Sequence, residues 1–245
     1  MVQNNLIFAS ASFHPTRNNV LFKKKDLIKH EQEYLFCLEQ LKRVVPENFE
    51  IYIVDNSIEN SEDIISDNLR ELLEGLNVIY TAESVNSKIK NIGVAELKEL
   101  FHLESVLNFD KYSKICYFTS RRFITNPYVF EKTEQLEKEA LLSNPDFVYL
   151  DGRVHKTEKN GMYNDMFFAM KSSTMKRYIE YSKNRIDHLE ENMINSESNL
   201  YDFVTEFNIS TEYIKFLGFF RYDYFSRRKY GRIKKRSIKH NYHFV

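Results

Sequence analysis

The chain has 245 residues, 42% hydrophobic and 29% charged, with 35 basic residues against 35 acidic ones, proportions that fit a single globular domain and exclude a disordered or fibrous chain. Apolar runs such as 51–54, 115–118 and 216–220 fall far short of the roughly 18 to 20 residues of a spanning helix, and no charged-then-apolar leader opens the chain, so a cytoplasmic protein is expected. The six glycines, at 75, 93, 152, 161, 218 and 231, are never closer than nine residues apart, which excludes the glycine-rich dinucleotide fingerprint, the P-loop and the protein-kinase loop.

Taken in chain order, 6–13 reads as a strand, broken by a loop through His14, Pro15 and Arg17. From Leu27 onward, Tyr34, Leu38, Leu41 and Val45 recur at helical spacing until Pro46 ends the run. Residues 51–54 form a buried strand that stops at the turn-forming triplet Asp55-Asn56-Ser57. Ile65, Leu69, Leu72 and Leu76 mark a second helix, 78–80 a third strand, 87–107 a third helix and 115–118 a fourth strand. Strands apolar on both faces, alternating with helices, predict an α/β fold with a mostly parallel central sheet flanked by helices.

Beyond the loop 119–127, Asn126 and Pro127 are expected to cap and begin a helix running through Leu136 and Ala140. Residues 146–150 and 166–170 read as strands. Ser173 opens a helix with Met175, Tyr178, Ser182, Ile186 and Leu189 on one face, and Ser196 is expected to cap a shorter one carrying Leu200, Phe203, Val204 and Phe207. The aromatic segment 213–225 is expected to return to the core. No repeat or low-complexity linker divides the chain, so one domain over 1–225 and a tail over 226–245 are expected.

That tail is strongly basic: Arg227, Arg228, Lys229, Arg232, Lys234, Lys235, Arg236 and Lys239 carry eight positive charges with no acid among them. The rest of the chain then holds 27 basic residues against 35 acidic ones, a net of minus eight, and the tail is the natural place for an anionic partner such as a membrane face. Cys37 and Cys116, with no CxxC or HExxH, exclude a disulfide framework and a zinc motif and read as buried, inert thiols. His155 and His188 read as surface histidines.

In open α/β sheets ligands bind beyond the carboxyl ends of strands, and Asp55, Arg17, Arg121 and Arg122 fall at such ends. Asp55 is either a turn former bonded to its own backbone or a ligand contact. The adjacent Arg121 and Arg122 are either a solvated loop or a bidentate grip on a diphosphate. Asp165 and Glu197 are candidate general bases, against the simpler readings of a turn aspartate and a glutamate favoured by a helix N-terminus. The stripe Met166, Phe167, Phe168 and Met170 reads as core.

Ile51-Tyr52-Ile53-Val54-Asp55-Asn56-Ser57, the segment 86–93 and a central strand followed by a polar loop resemble a glycosyltransferase of the GT-A type. The segments 164–170 and 196–200 are similar to the second half of bacterial surface-polysaccharide transferases, including the WavE-like lipopolysaccharide group. The resemblance implies a sugar moved from a nucleotide-diphosphate donor, most simply a UDP-sugar, to a cell-surface glycan or lipid-linked acceptor. It places Asp55 on the base, Arg121, Arg122, Arg17 and Asn91 around the nucleotide, and Asn164 with Asp165 and Glu197 beside the acceptor. The family's D-x-D motif, whose carboxylates hold Mn or Mg, is replaced here by Thr119-Ser120-Arg121-Arg122. No metal ligand is therefore assigned, and cationic side chains can take over the charge on the leaving diphosphate. Two rival readings remain: a nucleic-acid-binding module using the basic, aromatic tail, disfavoured by the acidic remainder, and an interaction protein carrying a degenerate site.

Overall fold

The computed structural model describes residues 4–15, 24–83, 89–143, 147–150, 153–156, 163, 166–214 and 219–221. A seven-stranded sheet is its centre: β1 (Asn5–Ala11), β2 (Phe49–Asp55), β3 (Asn77–Tyr80), β4 (Lys114–Thr119), β6 (Ala140–Ser143), β9 (Phe167–Lys171) and β10 (Thr211–Ile214). Their spatial order is β10-β6-β9-β4-β1-β2-β3, with β9 alone running antiparallel to its neighbours. β5 (Arg122–Ile124) pairs with β11 (Phe219–Arg221), and β7 (Phe147–Leu150) with β8 (Arg153–Lys156), as separate two-stranded ribbons.

The expected two-sided burial follows from alternation along each central strand. Ile7, Ala9, Cys116, Phe118, Phe167 and Ala169 face a core closed by α1 (Lys24–Val44), α2 (Asp67–Glu74) and α4 (Tyr128–Glu134). Leu6, Phe8, Ile115, Tyr117, Phe168 and Met170 face the opposite core, closed by α3 (Ile92–Val106), α5 (Ser172–Glu191) and α6 (Ser196–Glu206). Each wholly buried Phe adds roughly 1.5–3 kcal/mol of hydrophobic stabilisation, so the 166–170 stripe belongs to the core. No described helix is long and apolar enough to cross a membrane.

Three local expectations need correction. The helix after the fourth strand stops at Glu134, and Ala140 begins β6, because Glu139 is drawn into extended pairing by the Ser210 carbonyl and the Lys171 amide. Tertiary hydrogen bonds override the helical preference of this glutamate-rich stretch. Asn126 does accept from the Tyr128 amide at 3.1 Å, although the helix itself starts at Tyr128. The cap of α6 is Asn195, whose side chain accepts from the Ser198 amide, whereas the Ser196 hydroxyl donates to Glu96 of α3. The 146–150 strand exists over Phe147–Leu150 but lies outside the main sheet.

The order of connections creates one special edge. From β1 the chain moves through α1 and α2 to β2 and β3 on one side, then returns through α3, on the other face, to β4 on the far side of β1. The parallel sheet therefore reverses its winding between β1 and β4. In open α/β sheets ligands bind at such a reversal, beyond the carboxyl ends of the strands.

Candidate functional site

At this edge Ser10 lies beside Thr119, and Ser120 donates both its amide and its hydroxyl to the Ser10 carbonyl, at 3.0 and 2.5 Å. The next residues of the β1 loop are each held by another element. Ser12 N–H donates to the Tyr34 hydroxyl of α1 at 2.9 Å, Phe13 N–H to Asp55 Oδ2 at 2.6 Å, and His14 N–H to Ser57 Oγ at 2.8 Å. Three consecutive amides are thereby committed to α1 and to the end of β2.

Asp55 is wholly buried. Besides the Phe13 amide it accepts on Oδ1 from the Ser57 amide (2.8 Å), the Ser57 hydroxyl (2.9 Å) and the Ile58 amide (3.0 Å). Burial pushes its pKa up to about 6 against the pull of these donors. The turn role weighed from sequence is thus present, and it extends across the chain to the β1 loop. Both oxygens are engaged by the protein.

Arg121 leaves the end of β4 and is one-third exposed. Its Nη1 donates to His30 Nδ1 at 3.0 Å and lies 3.8 Å from Glu33 Oε2. His30 in turn bonds the Ser12 carbonyl through Nε2 at 3.0 Å, and its pKa is lowered to about 4 by burial and by the Arg121 charge. Arg122 lies on the same side, where its charge and that of Arg121 act on the Cys37 thiol of α1. Next to His30 in α1, the buried Glu31 accepts from the Ile65 and Ser66 amides at 2.8 and 2.7 Å and meets His14 Nε2 at 2.7 Å. Burial alone would raise the Glu31 pKa, but the bonds from His14 and the two amides outweigh it and hold the carboxyl below its ordinary range.

Asn91 is buried at the start of α3. Its Oδ1 accepts from the Gly93 amide, and its Nδ2 donates to the carbonyls of Leu189 and Ile194 at 3.0 and 2.7 Å. Its two Nδ2 bonds join the start of α3 to the end of α5 and the turn after it. Glu197, in the first turn of α6, accepts from Asn195 Nδ2 at 3.0 Å. Arg17, Asn164, Asp165 and the basic tail lie outside the described residues.

Five buried or half-buried groups at this edge escaped the sequence reading: His14, His30, Glu31, Glu33 and Glu99. Glu99 of α3 is wholly buried and accepts from Asn56 Nδ2, and burial raises its pKa well above the ordinary carboxylate range. A signal for two of them was present. Glu31 stands three residues before Tyr34 on the apolar stripe of α1, and Glu99 four residues from both Ala95 and Leu103 on that of α3. A carboxylate on a core-facing stripe marks a buried, partnered acid.

Among the described residues no three His, Cys, Asp or Glu side chains come together as metal ligands. The end of β4 offers hydroxyls and guanidiniums rather than the carboxylates that hold a divalent cation. A concavity of about 750 Å³ lies elsewhere, in the groove between α5 and α6 lined by Arg177, Tyr181, Arg185, Tyr201 and Phe207. Both of its arginines are paired: Arg185 bonds Asp202 at 2.8 Å, and Arg177 bonds Glu139 at 3.1 Å.

No protein-family model matches the chain, and no curated protein matches it in sequence. Solved structures do match in fold. A 4-diphosphocytidyl-2C-methyl-D-erythritol synthase from Anaerococcus prevotii aligns with a TM-score of 0.50 and 14% identity over 87% of this chain and 89% of its own. A structure described as a nucleotide-diphospho-sugar transferase from Desulfovibrio desulfuricans aligns with a TM-score of 0.52 and 7% identity over 97% and 96%. At such identities the likeness is one of fold alone: the two structures share this chain's α/β architecture. Neither neighbour is a WavE-like transferase, so the narrower resemblance is not carried by these comparisons.

Proposed function

We infer that the chain is a nucleotide-sugar-dependent transferase that binds the diphosphate of its donor at the β1/β4 edge. The observation that carries this reading is the position of Arg121: a guanidinium one-third exposed to solvent, fixed by α1 at the point where the sheet reverses its winding. The names of both fold neighbours, one a diphosphocytidyl-alcohol synthase and the other a nucleotide-diphospho-sugar transferase, agree with it.

In this reading Arg121, with Arg122 beside it and Arg17 from the β1 loop, neutralises the charge that grows on the leaving diphosphate. The acceptor oxygen forms its bond to the anomeric carbon as the bond from that carbon to the diphosphate oxygen breaks. The electron pair leaves with the nucleotide. The acceptor's proton passes to a carboxylate, for which Asp165 is the first choice and Glu197 the second, with Asn164 contacting the acceptor. Asp55 acts beneath the nucleotide by holding the loops that carry it, and the base stacks above them. UDP is the preferred donor nucleotide. The acceptor is a cell-surface glycan or a lipid-linked sugar, reached when the basic tail attaches the protein to an anionic membrane face.

A second reading has one observation in its favour, the diphosphocytidyl compound in the name of the Anaerococcus neighbour: nucleotidyl transfer at the same edge, releasing pyrophosphate. Incubation with UDP-, CDP- and GDP-sugars and a pool of glycan acceptors, in EDTA, tests the first reading by release of nucleoside diphosphate. Pyrophosphate release from a nucleoside triphosphate and a sugar phosphate would instead establish the second.

A further inference from the structure

We propose that His30 is a positioning residue for the donor diphosphate, acting as a neutral, single-tautomer bridge that ties Arg121 to the Ser12 carbonyl. The assignment rests on the transferase reading above and adds to it a group outside the expected site.

The hydrogen-bond partners dictate the tautomer. Arg121 Nη1 lies 3.0 Å from His30 Nδ1 and 3.5 Å from Nε2, so the guanidinium meets the ring of a neutral imidazole and is repelled by an imidazolium. The Ser12 carbonyl can only accept, so Nε2, 3.0 Å away, must carry the proton. An imidazolium would set its positive charge against the guanidinium, and the other tautomer would break the bond to Ser12. The surroundings favour the neutral ring: it is half-buried, Arg121 and His14 add positive charge, and the acids Glu31 and Glu33 of α1 are drawn off by the Ile65 and Ser66 amides and by Arg121. Tyr34 packs edge-on to the ring at 5.2 Å and holds the Ser12 amide, so one turn of α1 grips both backbone groups of Ser12.

The consequence is geometric. Ser12 follows β1 and Arg121 follows β4, the two strands between which the winding of the sheet reverses, and His30 is a described side chain that bonds to both loops. It fixes the distance between the loop that would lie under the nucleotide and the cation that would meet its phosphates. A flexible arginine would lose rotamer freedom on binding; one already tethered loses less.

The test is a double-mutant cycle read by calorimetric titration with UDP, CDP and GDP, and with the corresponding nucleosides. His30→Leu is expected to weaken the diphosphate that binds best about tenfold and its nucleoside less than twofold, a split that general loosening of the fold would not produce. In an Arg121→Ala background the same change should add less than twofold. His30→Gln, whose amide offers an acceptor and a donor at similar spacing, should recover most of the loss and remains informative if the leucine variant folds poorly. The ¹⁵N shifts of the wild-type ring should show an unprotonated Nδ1 and a protonated Nε2 at neutral pH. Equal losses in both backgrounds, equal losses for diphosphate and nucleoside, or a protonated Nδ1 would overturn the role of His30 alone. Absence of any diphosphate binding by the wild type would overturn the transferase reading, and this one with it.

Discussion

Asp55 and Phe13, 42 residues apart in sequence, are joined by a 2.6 Å hydrogen bond from the Phe13 amide to a carboxylate wholly removed from solvent. The bond ties the loop after β1 to the end of β2, and the other carboxylate oxygen collects three further donors from residues 57 and 58. The carboxylate is therefore a junction between two loops of the proposed donor edge.

Replacing Asp55 by Asn should disclose this junction. The new amide must direct N–H groups either at Phe13 N–H or at the Ser57 and Ile58 donors. Leaving a buried donor unmatched costs about 1–3 kcal/mol, so urea unfolding at pH 7 should lose that much stability. A stability within about 0.5 kcal/mol of wild type would show that the junction contributes little.

The pH dependence of folding should carry the signature of His30. Its folded pKa is about 4 against an ordinary 6.5, so between these values the unfolded chain binds the extra proton. Stability from this group is complete above about 6.5 and is lost as pH falls through 4, with a slope of at most about 1.4 kcal/mol per pH unit. Asp55, raised to about 6, acts with the opposite sign, since its contribution is lost as pH rises through 6. The difference between wild type and His30→Gln isolates the histidine: their stability curves should diverge as pH rises from 4.5 to 6.5. Parallel curves would contradict a buried neutral ring.

Gly93 tests the seam between α3 and α6. A Cβ there would stand 2.5 Å from the Ser196 amide nitrogen and 3.2 Å from the backbone of Asn195. Ala gains up to about 1 kcal/mol of helix propensity, whereas overpacking against backbone that cannot rotate away costs about 1–3 kcal/mol. Gly93→Ala should therefore lower the thermal midpoint, and an increase would mean that the helices separate freely.

The two thiols should be inert in the folded protein. Burial pushes the Cys116 pKa up to about 12 and that of Cys37 higher still, and both side chains are fully buried. Ellman's reagent at pH 8 should react with neither until denaturant is added. Rapid modification of one thiol under native conditions would show that α1 or β4 opens locally.

Much of the sheet was legible because β1, β2 and β4 are apolar on both faces, a pattern that only a covered parallel sheet accommodates. β6 was not, since the stretch from Leu136 to Ala140 has helical composition and becomes extended only through partners at Ser210 and Lys171 that are distant in sequence. At the site, Asp55 and Arg121 stood out because each follows an apolar strand directly. His30 and Glu31 were hidden inside a helix, where their role depends on Ser12, Ile65 and Ser66 arriving from elsewhere in the fold. Asn91 illustrates the converse. A polar residue in a segment that resembled a binding loop is, in three dimensions, a cap whose amide is taken up by Leu189 and Ile194.

The placement of the donor at the β1/β4 edge is tested most directly by backbone hydrogen exchange with and without saturating UDP. Slower exchange is expected at residues 12–14, 56–58 and 119–122, with no change along the α5/α6 groove from Arg177 to Phe207. Protection confined to that groove, or none at the β1 and β4 loops under conditions where calorimetry shows UDP bound, would contradict the account.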